Sequence, residues 1–578
     1  MPKGIPYIIS NEAAERFSFY GMKAALAIFL ANYLGVLGGK SMSEADATAY
    51  VSFFNSAVYF TPLLGAIIAD VFWGKYRTII TLSIVYCLGH LCLAFMGVTG
   101  SVQVWLLAGL GLIAIGAGGI KPCVSSHVGD QFGIKNQHLL TKIFNIFYLS
   151  INFGAVISNL AIPWVLKWYG PHIAFGLPGV LMVIATIAFW MGRNKFIHIP
   201  AHGSSFINEL TSREGLAAIG KLIPLFLFVA VFWCLFDQTA STLVFQAEKM
   251  DRNIFGIEVL PSQIQAANPF LILVLIPIFT WGIYPLINKV IPLTPLKKVG
   301  AGLFIMAISF VIISLVQEAI DRGETPSIWW QLLAYLIFTS AEILISIVCL
   351  EFSYTQAPRK MKSFVMAIFL ASVTIGNLIT GAINLYIQIP EVTLVDKKPH
   401  AGFDGKMGTT DDLTMLDDDK IQSPVFDQLE ESVATIKSIH KRTKALPTTT
   451  SGNKAFTSVL DPWGQPLRYT QISSKKARLS SDGPDQKAKT KWDLGVIIKV
   501  DDNSEDEKGT WLQKEKRKRN MDKEGKPNEP YKVSYYAGGQ TILEGAAYFW
   551  FFTKFMLITA IIFIPFAIWY KPKSYLQE

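Results

Sequence analysis

Seven ionisable residues lie inside stretches that are otherwise strongly apolar. Glu12, Glu15, Arg16 and Lys23 fall in the first such stretch, Lys121 late in the fourth, Asp237 within the seventh and Glu342 near the middle of the tenth. Positions 12, 16, 20 and 23 are spaced i, i+4, i+8 and i+11. That puts Glu12, Arg16, Tyr20 and Lys23 on one helix face, with Glu15 beside it. An ionisable group at the centre of a bilayer costs ~2.5–3.5 kcal/mol. Such a face must therefore look into a bundle or a wet cavity. Three bases and four acids can nearly neutralise one another. Fixed ion pairs that hold helices together are one use for them. However, desolvation offsets much of the Coulomb gain of a buried pair. Carboxylates beside bases in a partly dry cavity also exchange protons as their partners come and go. The set reads more as a switch than as a scaffold.

The elements that carry these residues are membrane helices. The chain has 578 residues, 51% hydrophobic and 16% charged, against about 25% charged in soluble domains. Apolar runs near the ~20 residues needed to cross a bilayer recur about twelve times. They fall near 7–36, 48–72, 77–98, 103–128, 143–167, 172–192, 221–246, 266–288, 299–317, 328–352, 363–389 and 545–570. They are continuous rather than alternating, which points to helices and not to a membrane barrel. The N-terminus lacks a signal-peptide pattern. The five cysteines all fall in these runs, with no metal-site or disulfide spacing. No nucleophile–base set or phosphate-binding loop is visible, so an enzyme is not expected.

Lys and Arg gather in alternate short loops, among them Lys75, Arg77, Lys135, Arg193, Arg359 and Lys360, and in the tail at Lys571 and Lys573. By the positive-inside rule both termini are cytoplasmic, and the +9 net charge needs no nucleic-acid partner. The expected divisions are a six-helix bundle over 1–195, a cytoplasmic loop over 196–220, helices seven to eleven over 221–390, an external insert over 391–540, and helix twelve with its tail over 541–578. Two six-helix halves joined by a central loop match the major facilitator architecture, with a site between the halves near the midplane. Residues Asp70, Gly74, Lys75 and Arg77 resemble that superfamily's loop between helices two and three. At ~1.5 Å per residue, Lys23 and Asp237 lie in the outer half, Lys121 in the inner half and Glu342 near mid-depth. Two bridges follow: Lys23–Asp237 closing the outer side, and Lys121–Glu342 deeper.

The segment Glu12-Ala-Ala-Glu15-Arg16-Phe-Ser-Phe-Tyr20 resembles the ExxER helix of the proton-dependent oligopeptide transporters. Gly118-Gly119-Ile120-Lys121-Pro122 and Phe147-Tyr148-Leu149-Ser150-Ile151-Asn152 resemble that family's fourth- and fifth-helix signatures. Trp233, Asp237, Asn268-Pro269 and Glu351-Phe352-Ser353-Tyr354 add further echoes, over 7–389 and 540–570. The resemblance implies a proton-coupled symporter importing di- and tripeptides by alternating access, functional as a monomer, with no cofactor beyond the proton gradient. It implies that Glu12, Glu15, Arg16 and Asp237 handle protons. Arg16 and Lys121 would hold the peptide carboxylate, and Glu342 the amino terminus. Asn152 and Asn268 would bond the backbone, and Tyr20, Tyr59 and Trp233 would line side-chain pockets, helix packing being the other reading of Trp233. The chain departs from the family at three positions. Lys23 stands where many members have Arg, Ser52 where animal members have His, and Phe369 where some have Trp. Without that histidine, proton coupling must rest on carboxylates. Rival readings are another small anionic or zwitterionic solute, such as nitrate or an amino-acid conjugate, and a receptor that senses through the insert.

Within the insert, Asp461-Pro-Trp-Gly-Gln-Pro-Leu-Arg-Tyr, with a later Ser481-Asp-Gly-Pro-Asp485, resembles type II secretion pseudopilins. These are small α+β domains, some of which bind calcium. Asp485 and Asp493 read as ordinary loop acids, and calcium binding stays open. Residues up to about 420, with Asp411, Asp412 and Asp417 to Asp419, read as a polar linker, 424–447 as holding an amphipathic helix, and Lys514 to Arg519 as a solvated basic run. The resemblance implies a Gram-negative inner membrane, with the insert in the periplasm.

Overall fold

The computed structural model describes residues 2–132, 139–201, 213–356, 362–416, 420–500, 509–515 and 530–570. Lys135, Arg359, Lys360, Asp417 to Asp419, the 516–519 part of the basic run, Lys571 and Lys573 lie outside them.

The described residues contain 12 helices long and apolar enough to cross a membrane, as the apolar runs predict. Span 1 is Ile5–Leu37, span 2 Glu44–Trp73, span 3 Lys75–Ala94, span 4 Val102–Asp130, span 5 Ile146–Tyr169 and span 6 Pro171–Met191. Span 7 is Ile219–Glu248, span 8 Pro261–Asn288, span 9 Pro295–Asp321, span 10 Trp329–Ser353, span 11 Ile368–Tyr386 and span 12 Ala546–Trp569. Spans 1–6 pack mainly around one apolar core and spans 7, 9, 10, 11 and 12 around a second. Large apolar side chains such as Trp281, Phe153 and Ile184 project from the bundle's outside, where lipid is their natural solvent. The whole is the major facilitator fold with a small α+β insert.

Local chemistry sets the ends of the helices. Ser43 caps span 2, its hydroxyl accepting from Asp46 N (3.0 Å) while Asp46 reaches back to it. Gly74 turns the chain between spans 2 and 3 at φ 75°, a conformation that costs glycine little. The following Lys75 pairs with Asp130 at the end of span 4 (2.7 Å).

Small residues set the interhelical distances. A Cβ on Gly65 of span 2 would lie 2.1 Å from the Gly118 carbonyl oxygen of span 4, and one on Gly376 of span 11 would lie 2.4 Å from the Ala230 oxygen of span 7. Close backbone approach at small residues is how membrane helices gain packing energy without a hydrophobic drive. Here it positions Lys121 one turn beyond Gly118, and Asn377 beside span 7.

Between spans 11 and 12 the chain leaves the bundle. Strands β1 (Pro399–His400), β2 (Leu413–Met415) and β3 (Ile421–Gln422) make a small antiparallel sheet. The polar linker expected there is therefore structured. The carboxylate of Asp411 accepts the backbone N–H of Asp404 (2.9 Å) and the Thr409 hydroxyl (2.8 Å), which ties the loop into a fold. Helix α1 (Phe426–Thr443) and helix α2 (Thr449–Phe456) follow. Then β4 (Arg468–Ser473), β5 (Lys476–Ser481), β6 (Leu494–Val500) and β7 (Tyr531–Ala537) form an antiparallel meander. Its alternation puts Leu479, Val496 and Ile498 on one face, packed with Leu429, Val433 and Ile436 of α1 in the insert's own core. Asp461 organises the Asp-Pro-Trp-Gly turn by accepting from Trp463 N, Gln465 N and the Ser481 hydroxyl. Asp493 accepts from Lys489 N and Thr490 N, and Asp485 from Lys487 N. No cluster of three or more metal-ligating side chains occurs among the described residues.

Candidate functional site

Span 1 presents its charged face to the interior. Arg16 Nε donates to Glu12 Oε1 at 2.7 Å and lies 3.4 Å from Glu15 Oε2; both carboxylates are buried. One helical face thus holds two acids around one base. Seven residues further on, Lys23 Nζ donates to Asp237 Oδ1 at 2.8 Å. Asn377 Nδ2, from span 11, donates to the other oxygen of Asp237 at 2.7 Å. Span 7 presents Asp237 where its α-helix gives way to a short 3-10 turn, Asp237–Ala240. Asn377 went unnoticed in the sequence. The available signal was the polar stripe Asn377, Thr380 and Asn384, buried at helical spacing on span 11.

The deeper bridge expected between Lys121 and Glu342 is not formed. Lys121 Nζ sits 3.7 Å from the centroid of the Phe19 ring and 4.7 Å from that of Tyr59, and has no hydrogen-bond partner among the described residues. Ring faces attract a cation without consuming its hydrogen bonds. Glu342 instead accepts from Asn268 Nδ2 at 2.7 Å, and the same amide lies 3.2 Å from the Thr339 hydroxyl. The two charges belong to opposite walls, and each has found a local partner that is not an opposite charge. Glu342 stands just before a π-helical turn, Ile343–Ile347. Such turns interrupt the regular ladder and often mark functional positions.

Arg16 lies within electrostatic reach of the Tyr20 and Tyr59 hydroxyls, and Glu12 of Lys121. On the other wall Glu342 is within reach of Asp237 and Lys23. Asn152 is buried and bonds back to the Tyr148 carbonyl of its own helix at 3.0 Å. Trp233 packs edge-on to Phe232 and Phe236, and its indole N–H has no partner among the described residues. Ser52 and Phe369 are both buried.

Hydrogen bonds join the two halves around the Lys23–Asp237 pair. Ser56 and Thr374 exchange hydroxyl-to-carbonyl bonds at 3.2 and 3.4 Å. Gln263 reaches the Leu160 oxygen (2.7 Å), Lys249 pairs with Glu44 (2.9 Å) and Asn32 meets Glu248 (3.3 Å). These bonds lie on the insert's side of the Lys121 level.

Two six-helix halves around a charged interior are the architecture of the major facilitator type. The sequence profile of the POT family (PTR2) matches residues 76–217 and 203–397, and the chain belongs to that family. It is 37% identical over 365 residues to peptide transporter family 1 of Drosophila melanogaster, covering 56% of this chain and 48% of that protein. It is 35% identical over 371 residues to solute carrier family 15 member 2 of Mus musculus, covering 56% and 50%. The chain thus spans about half the length of these curated relatives. The crystal structure of the POT family transporter PepTSo superposes with a TM-score of 0.60 at 36% identity, over 68% of this chain and 91% of that one.

Proposed function

We propose that this chain is a proton-coupled symporter that imports di- and tripeptides by alternating access. The observation that carries the reading is the polarity of the interior. One half offers Arg16 and Lys121, unpaired among the described residues, and the other offers Glu342 with Asn268. A zwitterionic peptide has a carboxylate for the first wall and an ammonium for the second. Nitrate has no group for Glu342, which disfavours an anion-only substrate. Asn152 bonds the peptide backbone, and Tyr20, Tyr59 and Trp233 bound the side-chain pockets.

The proton route runs through carboxylates. A proton on Asp237 cancels the attraction that holds Lys23, and the amide of Asn377 can turn to accept from the neutral acid. The outer side is then free to open. Glu12 and Glu15 share Arg16, so protonating one leaves the guanidinium available to a peptide carboxylate. No cofactor takes part. The working unit is a monomer, divided as 1–195, 196–220, 221–390, 391–540 and 541–578. It sits in a bacterial inner membrane with both termini cytoplasmic and the insert periplasmic. In the insert, a long helix laid on an antiparallel meander supports a pseudopilin-like domain.

The test is uptake. Purified protein in liposomes, given an inward proton gradient, should accumulate labelled dialanine. Unlabelled dipeptides should compete, and a protonophore should abolish uptake. No accumulation under the gradient rules the reading out.

A further inference from the structure

The insert does not stand clear of the bundle. A chamber of about 890 Å³ separates the second face of the β4–β7 sheet from the mouth formed by spans 2, 7, 9, 11 and 12, a size suited to a small ligand. The sheet contributes Arg468, Lys476 and Arg478, and the mouth contributes Glu44, Glu318 and Asp321 together with Lys249 and Arg322.

Most of these charges are already engaged. Arg478 holds Glu544 through two bonds (2.8 and 2.7 Å), Arg468 bonds Asp482 (2.7 Å) and Lys489 bonds the Ile542 carbonyl (2.7 Å). Lys249 takes one oxygen of Glu44, and Arg322 pairs with Glu324. Lys476 differs: among the described residues that line the chamber, it is the base with no ion pair and no hydrogen bond. The strand register makes its position costly, because Lys476 lies directly across from Lys499, and Lys499 across from Lys532. Like charges in register repel. Burial adds to this, pushing the Lys476 ammonium below the ordinary lysine range despite the nearby Glu44. A half-buried lysine with no ion pair among the described residues, lining a chamber that is open on one side, has room beside it for an anion. Opposite it, Glu44 keeps its second oxygen unbonded among the described residues, on the seam between the halves.

We propose that this chamber is a second peptide site, an antechamber in which the carboxylate of a short zwitterionic peptide meets Lys476 while its ammonium meets Glu44. The proposal extends the transport reading, since the seam beneath Glu44 is the one that Lys23 and Asp237 close. A peptide held here waits at the gate while the interior faces the other way.

The experiment separates the two readings. Dialanine binding to detergent-purified full-length protein is measured by titration calorimetry. The wild type should show two sites. The variant Lys121→Gln with Glu342→Gln should keep one. Adding Lys476→Glu should remove that one, whereas Lys476→Arg should retain it. Dialanine amide, which lacks the carboxylate, should fail to bind there. In liposomes Lys476→Glu should raise KM for dialanine at least fivefold with kcat unchanged, and Lys476→Arg should restore it. A single site in the wild type, or residual binding and KM that ignore Lys476, overturns the antechamber and leaves transport standing. Lys476-dependent binding without any wild-type uptake upholds the chamber and overturns transport.

Discussion

At the residue scale, the Lys23–Asp237 pair and Lys121 make opposite demands. Lys23 and Asp237 are both buried, and both carboxylate oxygens of Asp237 are engaged. Removing one partner of such a pair costs about 3–5 kcal/mol, because the survivor is a buried unpaired charge. Replacing both with apolar residues is often nearly neutral. Lys23→Ala should therefore lower Tm clearly in detergent, and Lys23→Met with Asp237→Leu should recover most of the loss. Additive losses in the double variant would mean that the pair carries no coupling. Lys121 stabilises little, since its partners are two ring faces. Lys121→Gln should leave Tm nearly unchanged but weaken dialanine binding roughly 10- to 100-fold, the equivalent of one charge-assisted hydrogen bond of about 1.5–3 kcal/mol. Titration at fixed pH reads it directly, and an unchanged affinity would remove Lys121 from the site. The charged face of span 1 was legible because helical spacing is a local property. The absent Lys121–Glu342 bridge was not. Depth arithmetic places two charges along the membrane normal but says nothing about the gap between two walls. Nor does it show that Phe19 and Asn268 will claim them first.

At the element scale, the site depends on how closely helices approach. Gly65 and Gly118 let spans 2 and 4 touch backbone to backbone, and Lys121 follows Gly118 by three residues. Gly65→Val should force the two spans apart. Overpacking costs typically 1–3 kcal/mol, and the displacement carries Lys121 away from the rings of Phe19 and Tyr59. Transport and Tm should fall together. Gly111 is the control: it lies on span 4, and a Cβ added there would meet nothing within 4 Å. Gly111→Ala should be silent or slightly stabilising, given alanine's higher helix propensity. Equal damage at both positions would mean that the close contact at Gly65 is not the cause. The twelve spans could be read from composition because each must satisfy its own backbone in lipid. The helix pairs could not, because a glycine in an apolar run looks the same whether it faces a neighbour or lipid. The three-stranded sheet around Asp411 was missed for a related reason. Its stability comes from one acid collecting backbone donors, and in sequence that acid looks like any other in a polar stretch.

At the scale of the whole molecule, the insert ties together parts that alternating access must move. It belongs in sequence to the second half, yet Trp511 stacks on Tyr33 of the first half at 6.0 Å and packs over Gly170. On its own side it is held by Arg478 and Glu544, just before span 12. That bridge is acid-sensitive, and its sign can be worked out. Burial raises the Glu544 carboxyl, but the hydrogen bonds and charge of Arg478 outweigh it, leaving the group below the ordinary glutamate range. A carboxyl depressed in the folded protein stabilises it fully above the unfolded value, about 4.3, and that contribution is lost as pH falls through the lower folded value. Arg478 stays charged throughout. Asp493 is shifted upward, burial being the leading cause, and acts in the opposite direction within the insert, so the readout belongs at the junction itself. Backbone hydrogen exchange over 531–545, corrected for intrinsic rate, should be unchanged between pH 7 and 5 and should accelerate below pH 4. Glu544→Gln should exchange fast already at pH 7 and show no acid step. The loop around Asp411, whose carboxyl is also held low by backbone donors, should keep its own acid step in that variant. An acid step over 531–545 that survives Glu544→Gln would place the tie between insert and bundle somewhere other than this bridge.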